Sequence, residues 1–233
     1  MTDLPGRVSR RGFLMGSAAS AAFATLMNPS FSHAQVELPP LEEYKPVFFD
    51  ADEWRFIMAA CDRLIPAEGE GPGALETRVP VFIDLQMTGS FGDASDWYMA
   101  GPHQPDASPL FGWQSPLTPA QIYRKAIPLF QEWCQTTHGK AFEALDAETR
   151  DSALTALQKG EVGLAPELRD FFSILLQNTK EGYFADPMYG GNYQLKAWTF
   201  IGFPGARGAY TEWVTRHNQT YPLPAVSISG ERA

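Results

Sequence analysis

Cysteine and histidine are scarce in this chain of 233 residues: Cys61 and Cys134 are the two cysteines, and there are four histidines. Two thiols exclude a disulfide-dense scaffold, an all-cysteine zinc site and a cysteine-ligated iron–sulfur cluster. No Cys-x-x-Cys-His occurs, so this chain attaches no c-type haem. His33, His103, His138 and His217 stand too far apart in sequence for any two to form a local ligand pair, so no metal site is expected. Basic charge is also short, with 18 Lys and Arg against 27 Asp and Glu. The resulting net charge of −9 argues against nucleic-acid binding, which needs clustered cations on phosphates. The glycine-rich run Gly69–Gly73 follows a helical pattern and lacks Gly-Lys-Ser/Thr, so it is not expected to hold phosphate. No Gly-x-Ser-x-Gly elbow supports a Ser-His-Asp set. No apolar run reaches 18 residues, so membrane contact is expected only through a partner.

What is present divides into an address and a domain. Arg10 and Arg11 are followed by Phe13 and Leu14, then by a modestly apolar stretch rich in Ala, Ser and Gly. Ser32-His33-Ala34 completes a basic, apolar, small-x-small order, the layout of an export signal. The paired arginines select the twin-arginine route, with cleavage expected between Ala34 and Gln35. That places the mature protein in the periplasm and makes the twin-arginine translocon its first partner. Without its first 34 residues, which hold three arginines and one aspartate, the chain has 15 basic and 26 acidic residues, a net charge of −11.

The remainder reads as one all-α domain of about six helices with long Gly-, Pro- and aromatic-rich loops. Residues 35–49 are a Pro-rich, acidic extended arm, residues 50–219 the helical domain, and residues 220–233 an irregular tail. Asp50 and Glu53 form a capping-box pair ahead of Trp54, Ile57, Met58, Cys61, Leu64 and Ile65, which share one helical face. A shorter helix is expected over Val79–Met87. Thr88–Leu117 is a long irregular loop with Phe91, Trp97, Tyr98, Phe111 and Trp113, a composition that points to protein contact. Thr118 caps a helix that Pro128 should kink or split. Further helices are expected over Ala147–Lys159, from Pro166 to Thr179, around Tyr193–Phe200 and over Gly205–Asn218. Cys61 and Cys134 each fall on an apolar helix face, so they are either two buried thiols or one disulfide closing a long loop.

The densest unusual segment is Gly182-Tyr183-Phe184-Ala185-Asp186-Pro187-Met188-Tyr189-Gly190-Gly191-Asn192, followed by Trp198 and by Ile201-Gly202-Phe203-Pro204-Gly205. Asp186-Pro187 starts a turn, and the glycines with Asn192 tolerate positive φ. A catalytic reading makes Asp186 or Glu181 an acid or base, with Asp186 at the site of an autonomous periplasmic enzyme. A structural reading makes the segment a rigid turn that presents aromatics to the core or to a partner. The segment resembles the signature of the gluconate 2-dehydrogenase subunit 3 family. That resemblance implies a small, non-catalytic subunit of a membrane-associated, FAD-dependent sugar or sugar-acid dehydrogenase. FAD would sit in a large partner subunit, and haem c in a multihaem cytochrome subunit that feeds electrons onward. The chain itself would hold no cofactor, and its signal would carry the folded large subunit to the outer face of the inner membrane. The same resemblance serves gluconate, 2-ketogluconate, fructose, sorbitol and glucoside dehydrogenases, so it leaves the substrate open. A sugar-binding module using the aromatic loop is the remaining alternative.

Overall fold

The computed structural model describes residues 38–233. The export-signal residues Arg10, Arg11, Phe13 and Leu14 and the expected cleavage pair Ala34 and Gln35 lie outside the described residues. Seven α-helices and several single 3-10 turns make up the described chain, with isolated β-bridges and no strand among these residues. The helices are α1 (Ala51–Leu64), α2 (Val79–Met87), α3 (Ser90–Asp93), α4 (Pro119–His138), α5 (Ala147–Gln158), α6 (Phe171–Phe184) and α7 (Lys196–Ile201).

Helix α1 starts where the sequence says it should. The Asp50 carboxylate accepts from the Asp52 and Glu53 amides, and Glu53 accepts from the Asp50 amide at 3.0 Å. The buried face is rotated from the expected stripe. Phe56, Ile57, Ala60 and Cys61 are fully buried, whereas Trp54 and Met58 are half-exposed. Packing on several helices at once widens the core face beyond the periodic stripe: α1 touches α2, α4, α5 and α6.

Helix α4 carries a second capping box, Thr118 with Gln121, and runs unbroken through Pro128. The expected split does not occur because Pro128 lies on the exposed side. The carbonyl that loses its helical donor there can bond to water instead. The aromatic cluster of Phe56, Tyr123, Phe130, Phe142 and Phe171 fills the space between α1, α4 and α6, with ring centroids 5.3–6.2 Å apart. Each such ring, fully buried, stabilises the fold by roughly 1.5–3 kcal/mol.

Two expectations need correction. The Pro166 helix begins later: Pro166–Leu168 is a 3-10 turn, and α6 starts at Phe171. The Gly205–Asn218 helix is absent, and only Thr211–Trp213 forms a single turn. Backbone pairing captures its start, since Gly205 sits at φ +78° and the Ala206 amide donates to the Val226 carbonyl at 2.7 Å. The two cysteines follow the first of their two readings. Cys61 and Cys134 are both free and buried, and the Cys61 sulfur lies 3.8 Å from the Thr179 hydroxyl. Burial pushes each thiol up to about 12, so both are packing groups and poor nucleophiles.

The arm is more ordered than an extended segment. It contains a 3-10 turn at Leu41–Glu43 and is fastened to α2 by one side chain. The Asp84 carboxylate, with no exposed surface, accepts from the Tyr44 hydroxyl and from the amides of Val47, Phe48 and Phe49 at 2.8–3.0 Å. Arg78 donates to the Pro39 carbonyl at 2.7 Å, and Arg124 bonds both Glu53 and the Phe48 carbonyl while stacking on the Phe48 ring.

Candidate functional site

The signature segment closes one end of the bundle, where the last turn of α6 meets α2, α7 and the C-terminal tail. Asn192 is its centre. It is fully buried in the left-handed region at φ +43°, which Asn tolerates better than most residues. Its amide nitrogen donates to the Ala185 carbonyl at 3.0 Å, and its side-chain oxygen accepts from the Ala197 amide at 2.9 Å. Its backbone N–H donates to the Gly182 carbonyl at 3.0 Å. One side chain thus ties α6 to the start of α7. Gln194 and Leu195 also adopt positive φ, +57° each. Such conformations cost on the order of 1–3 kcal/mol each and persist only under strong constraint.

Gly182 and Gly191 are required by contact, and Gly190 by φ as well. A Cβ on Gly191 would stand 2.0 Å from the Gly182 carbonyl oxygen, and one on Gly182 would stand 2.8 Å from the Phe82 ring. Gly190, at φ +96°, lies against Leu85 and Val81 of α2. Tyr183 donates its hydroxyl to the Pro72 carbonyl at 2.8 Å. The Trp198 indole N–H donates to the Phe184 carbonyl at 2.8 Å, and its ring meets Phe203 edge-on at 4.9 Å.

Asp186 caps the 3-10 turn Pro187–Tyr189 by accepting from the Met188 amide at 3.2 Å. Its other oxygen accepts from the Ile228 amide at 2.6 Å, which latches the tail onto the signature. The carboxylate is buried, and both its oxygens bond to backbone N–H groups. Burial first, and then the nearby Asp186 charge, push the Glu231 carboxyl up. Each Asp186 oxygen thus holds one backbone N–H, which ties the carboxylate into the turn and the tail. Among the described residues no group of three or more His, Cys, Asp and Glu side chains could hold a metal ion.

The signature residues therefore separate into two sets. Tyr183, Asp186, Gly190, Gly191, Asn192 and Trp198 build the turn from inside. Phe184, Met188, Tyr189 and Phe203 are 42–55% exposed, although they are large and apolar. Pro187 and Pro204 are half-buried and fix the corners. Sequence reasoning missed the neighbours that extend this exposed face. Leu85 reaches it beside Gly190, and Ile228, 65% exposed, reaches it through the Asp186 latch. Phe200 and Ile201 of α7 are also more than half exposed. Leu85 was legible in principle, as an apolar residue on the side of α2 opposite Val79 and Ile83. Ile228 was not, because nothing local marks the tail as ordered.

Between Phe184 and Phe203 the chain has two charged residues, Asp186, which is buried, and Lys196. An exposed apolar face depleted of charge has the composition of a protein–protein interface core. A concavity of about 440 Å³ lies over α1 with Trp54, Met58 and Leu75 on its floor. Its rim charges pair with one another, Arg55 with Glu143 at 3.6 Å and Arg150 with Asp62 at 3.9 Å.

The comparison with known proteins decides the family. The model for gluconate 2-dehydrogenase subunit 3 matches residues 51–205, more than half of the chain. The chain belongs to the gluconate 2-dehydrogenase subunit 3 family. The matched range begins with α1 and ends on Gly205, the last residue of the signature, so it spans the helical core and the exposed face together. Neither the curated proteins nor the solved structures gave a match. No helix of the described residues is long and apolar enough to cross a membrane.

Proposed function

We propose that this protein is the non-catalytic small subunit of an FAD-dependent dehydrogenase complex of the gluconate 2-dehydrogenase type. In this reading it escorts the folded flavoprotein through the twin-arginine route and stabilises it in the periplasm, at the outer face of the inner membrane. FAD belongs to the large subunit and haem c to a cytochrome subunit. The observation that carries the reading is the family match over a domain whose signature residues present an apolar face. The backbone bonds to both Asp186 oxygens favour a structural role for the signature over an autonomous active site. The face of Phe184, Met188, Tyr189 and Phe203 is the contact for the flavoprotein, with buried aromatic anchors supplying most of the binding energy. Fructose, sorbitol, 2-ketogluconate and glucoside dehydrogenases are the alternative complexes.

The escort role is tested by export. With Arg10→Lys and Arg11→Lys together, the flavoprotein should remain in the cytoplasm and periplasmic dehydrogenase activity should be lost. Normal periplasmic activity in that double variant refutes the escort role.

A further inference from the structure

The long loop between α3 and α4 projects a second apolar surface, distant from the signature face. The Ser115 hydroxyl donates to the Glu167 carbonyl at 2.8 Å, and Arg169 donates to the Ala107 carbonyl. Both anchors lie just before α6. The signature turn lies just after it, so the 14 residues of α6 separate the two by about 20 Å.

The loop has a rigid base. Trp97 packs edge-on against Phe91 at 5.6 Å and Trp113 at 4.9 Å, and Phe91 and Trp113 rest on the main core. Above that base, Tyr98, Leu110 and Phe111 are 86%, 95% and 73% exposed. Large apolar side chains this exposed bury nothing within the chain, so they add no stability to it. They are held ready, because the base fixes the backbone that carries them.

Charge narrows what they fit. From residue 79 to residue 123 the sequence has no Lys or Arg, while Asp93, Asp96 and Asp106 are exposed. The cation that touches the loop, Arg169, bonds the Ala107 carbonyl and lies 3.7 Å from Asp170. An anionic lipid surface attracts Lys and Arg and would repel this loop. A second copy would bring acid against acid. We propose that Tyr98, Leu110 and Phe111 form a docking knob for a protein surface with an apolar pocket rimmed by Lys and Arg, carried by the dehydrogenase subunit. This inference rests on the subunit reading above and adds a second contact to it.

The test titrates the full mature chain against the purified dehydrogenase subunit across a salt series. Leu110→Ser with Phe111→Ser alters surface groups only, so the variant keeps its fold. It should weaken binding by about tenfold or more, as loss of central anchors does. Asp96→Asn with Asp106→Asn should slow association by about threefold at low salt and flatten the salt dependence. If both variants bind as the parent does, while Met188→Ser with Phe203→Ser binds less, the knob is refuted and the subunit reading stands. If the parent chain does not bind at all, both fall. Sedimentation with phosphatidylcholine–phosphatidylglycerol vesicles, if seen for the parent and lost in the Leu110, Phe111 variant, would overturn the proposal in favour of lipid.

Discussion

Asp84→Ala should release the arm from α2 and cost about 3 kcal/mol of stability. Four donors converge on this one buried carboxylate: the Tyr44 hydroxyl and the three successive amides of Val47, Phe48 and Phe49. Hydrogen bonds to a charged acceptor are worth more than neutral ones, about 1.5–3 kcal/mol each when both partners stay in place. The net loss is smaller than their sum because the freed arm can detach and take its amides back to water. Asp84→Asn separates the contributions. An amide keeps one acceptor oxygen, so it can hold the Phe48 and Phe49 pair but turns N–H donors toward the Val47 N–H. Its loss should be intermediate. Urea unfolding reads the stability, and proteolysis between residues 38 and 49 reads the arm. A variant as stable and as protease-resistant as the parent would contradict the clamp.

Gly191→Ala should be at least as damaging, about 3 kcal/mol or more, through a clash and not a lost contact. The new methyl would stand 2.0 Å from the Gly182 carbonyl oxygen, which also accepts the Asn192 amide. Relief requires the turn to move away from α6. That movement would break the Asn192 bonds to Ala185 and Ala197 and loosen the tail held by Asp186. For a domain of this size the melting temperature should fall by roughly 10 °C. Gly202→Ala is the control. Gly202 has positive φ, +70°, which Gly191 does not, and a Cβ there meets nothing within 4 Å, so only a backbone cost of about 1 kcal/mol is expected. A Gly191→Ala variant that loses no more stability than Gly202→Ala would contradict the close approach as the reason for the glycine.

Local signals in the sequence were reliable where they were self-contained. The Asp50–Glu53 and Thr118–Gln121 boxes start their helices as read, because a cap uses groups within three residues. The periodic stripe on α1 was read one step off because Phe56 and Ala60 owe their burial to helices distant in sequence. Pro128 promised a break, yet its exposed position lets α4 continue. The signature was visible as a turn, but its division into inward and outward residues depends on α2 and the tail. Nothing local marks Asp84 as a clamp, because its partners lie 35–40 residues earlier. The tail, without helical pattern, is ordered through backbone pairing of Val226 with Gly205 and Arg232. Such pairing uses no particular side chain, so it leaves no mark in the sequence.

Membership in the family makes association the central question, and the exposed face makes it answerable. The decisive measurement is co-purification of this chain with the FAD-dependent dehydrogenase subunit proposed as its partner, for the parent and for Met188→Ser with Phe203→Ser. Both positions are about half exposed, so the variant should fold normally by circular dichroism. The account predicts a stable complex for the parent and loss of the flavoprotein from the folded variant. A parent chain that purifies as a lone monomer, with the flavoprotein folded and exported without it, would contradict the account.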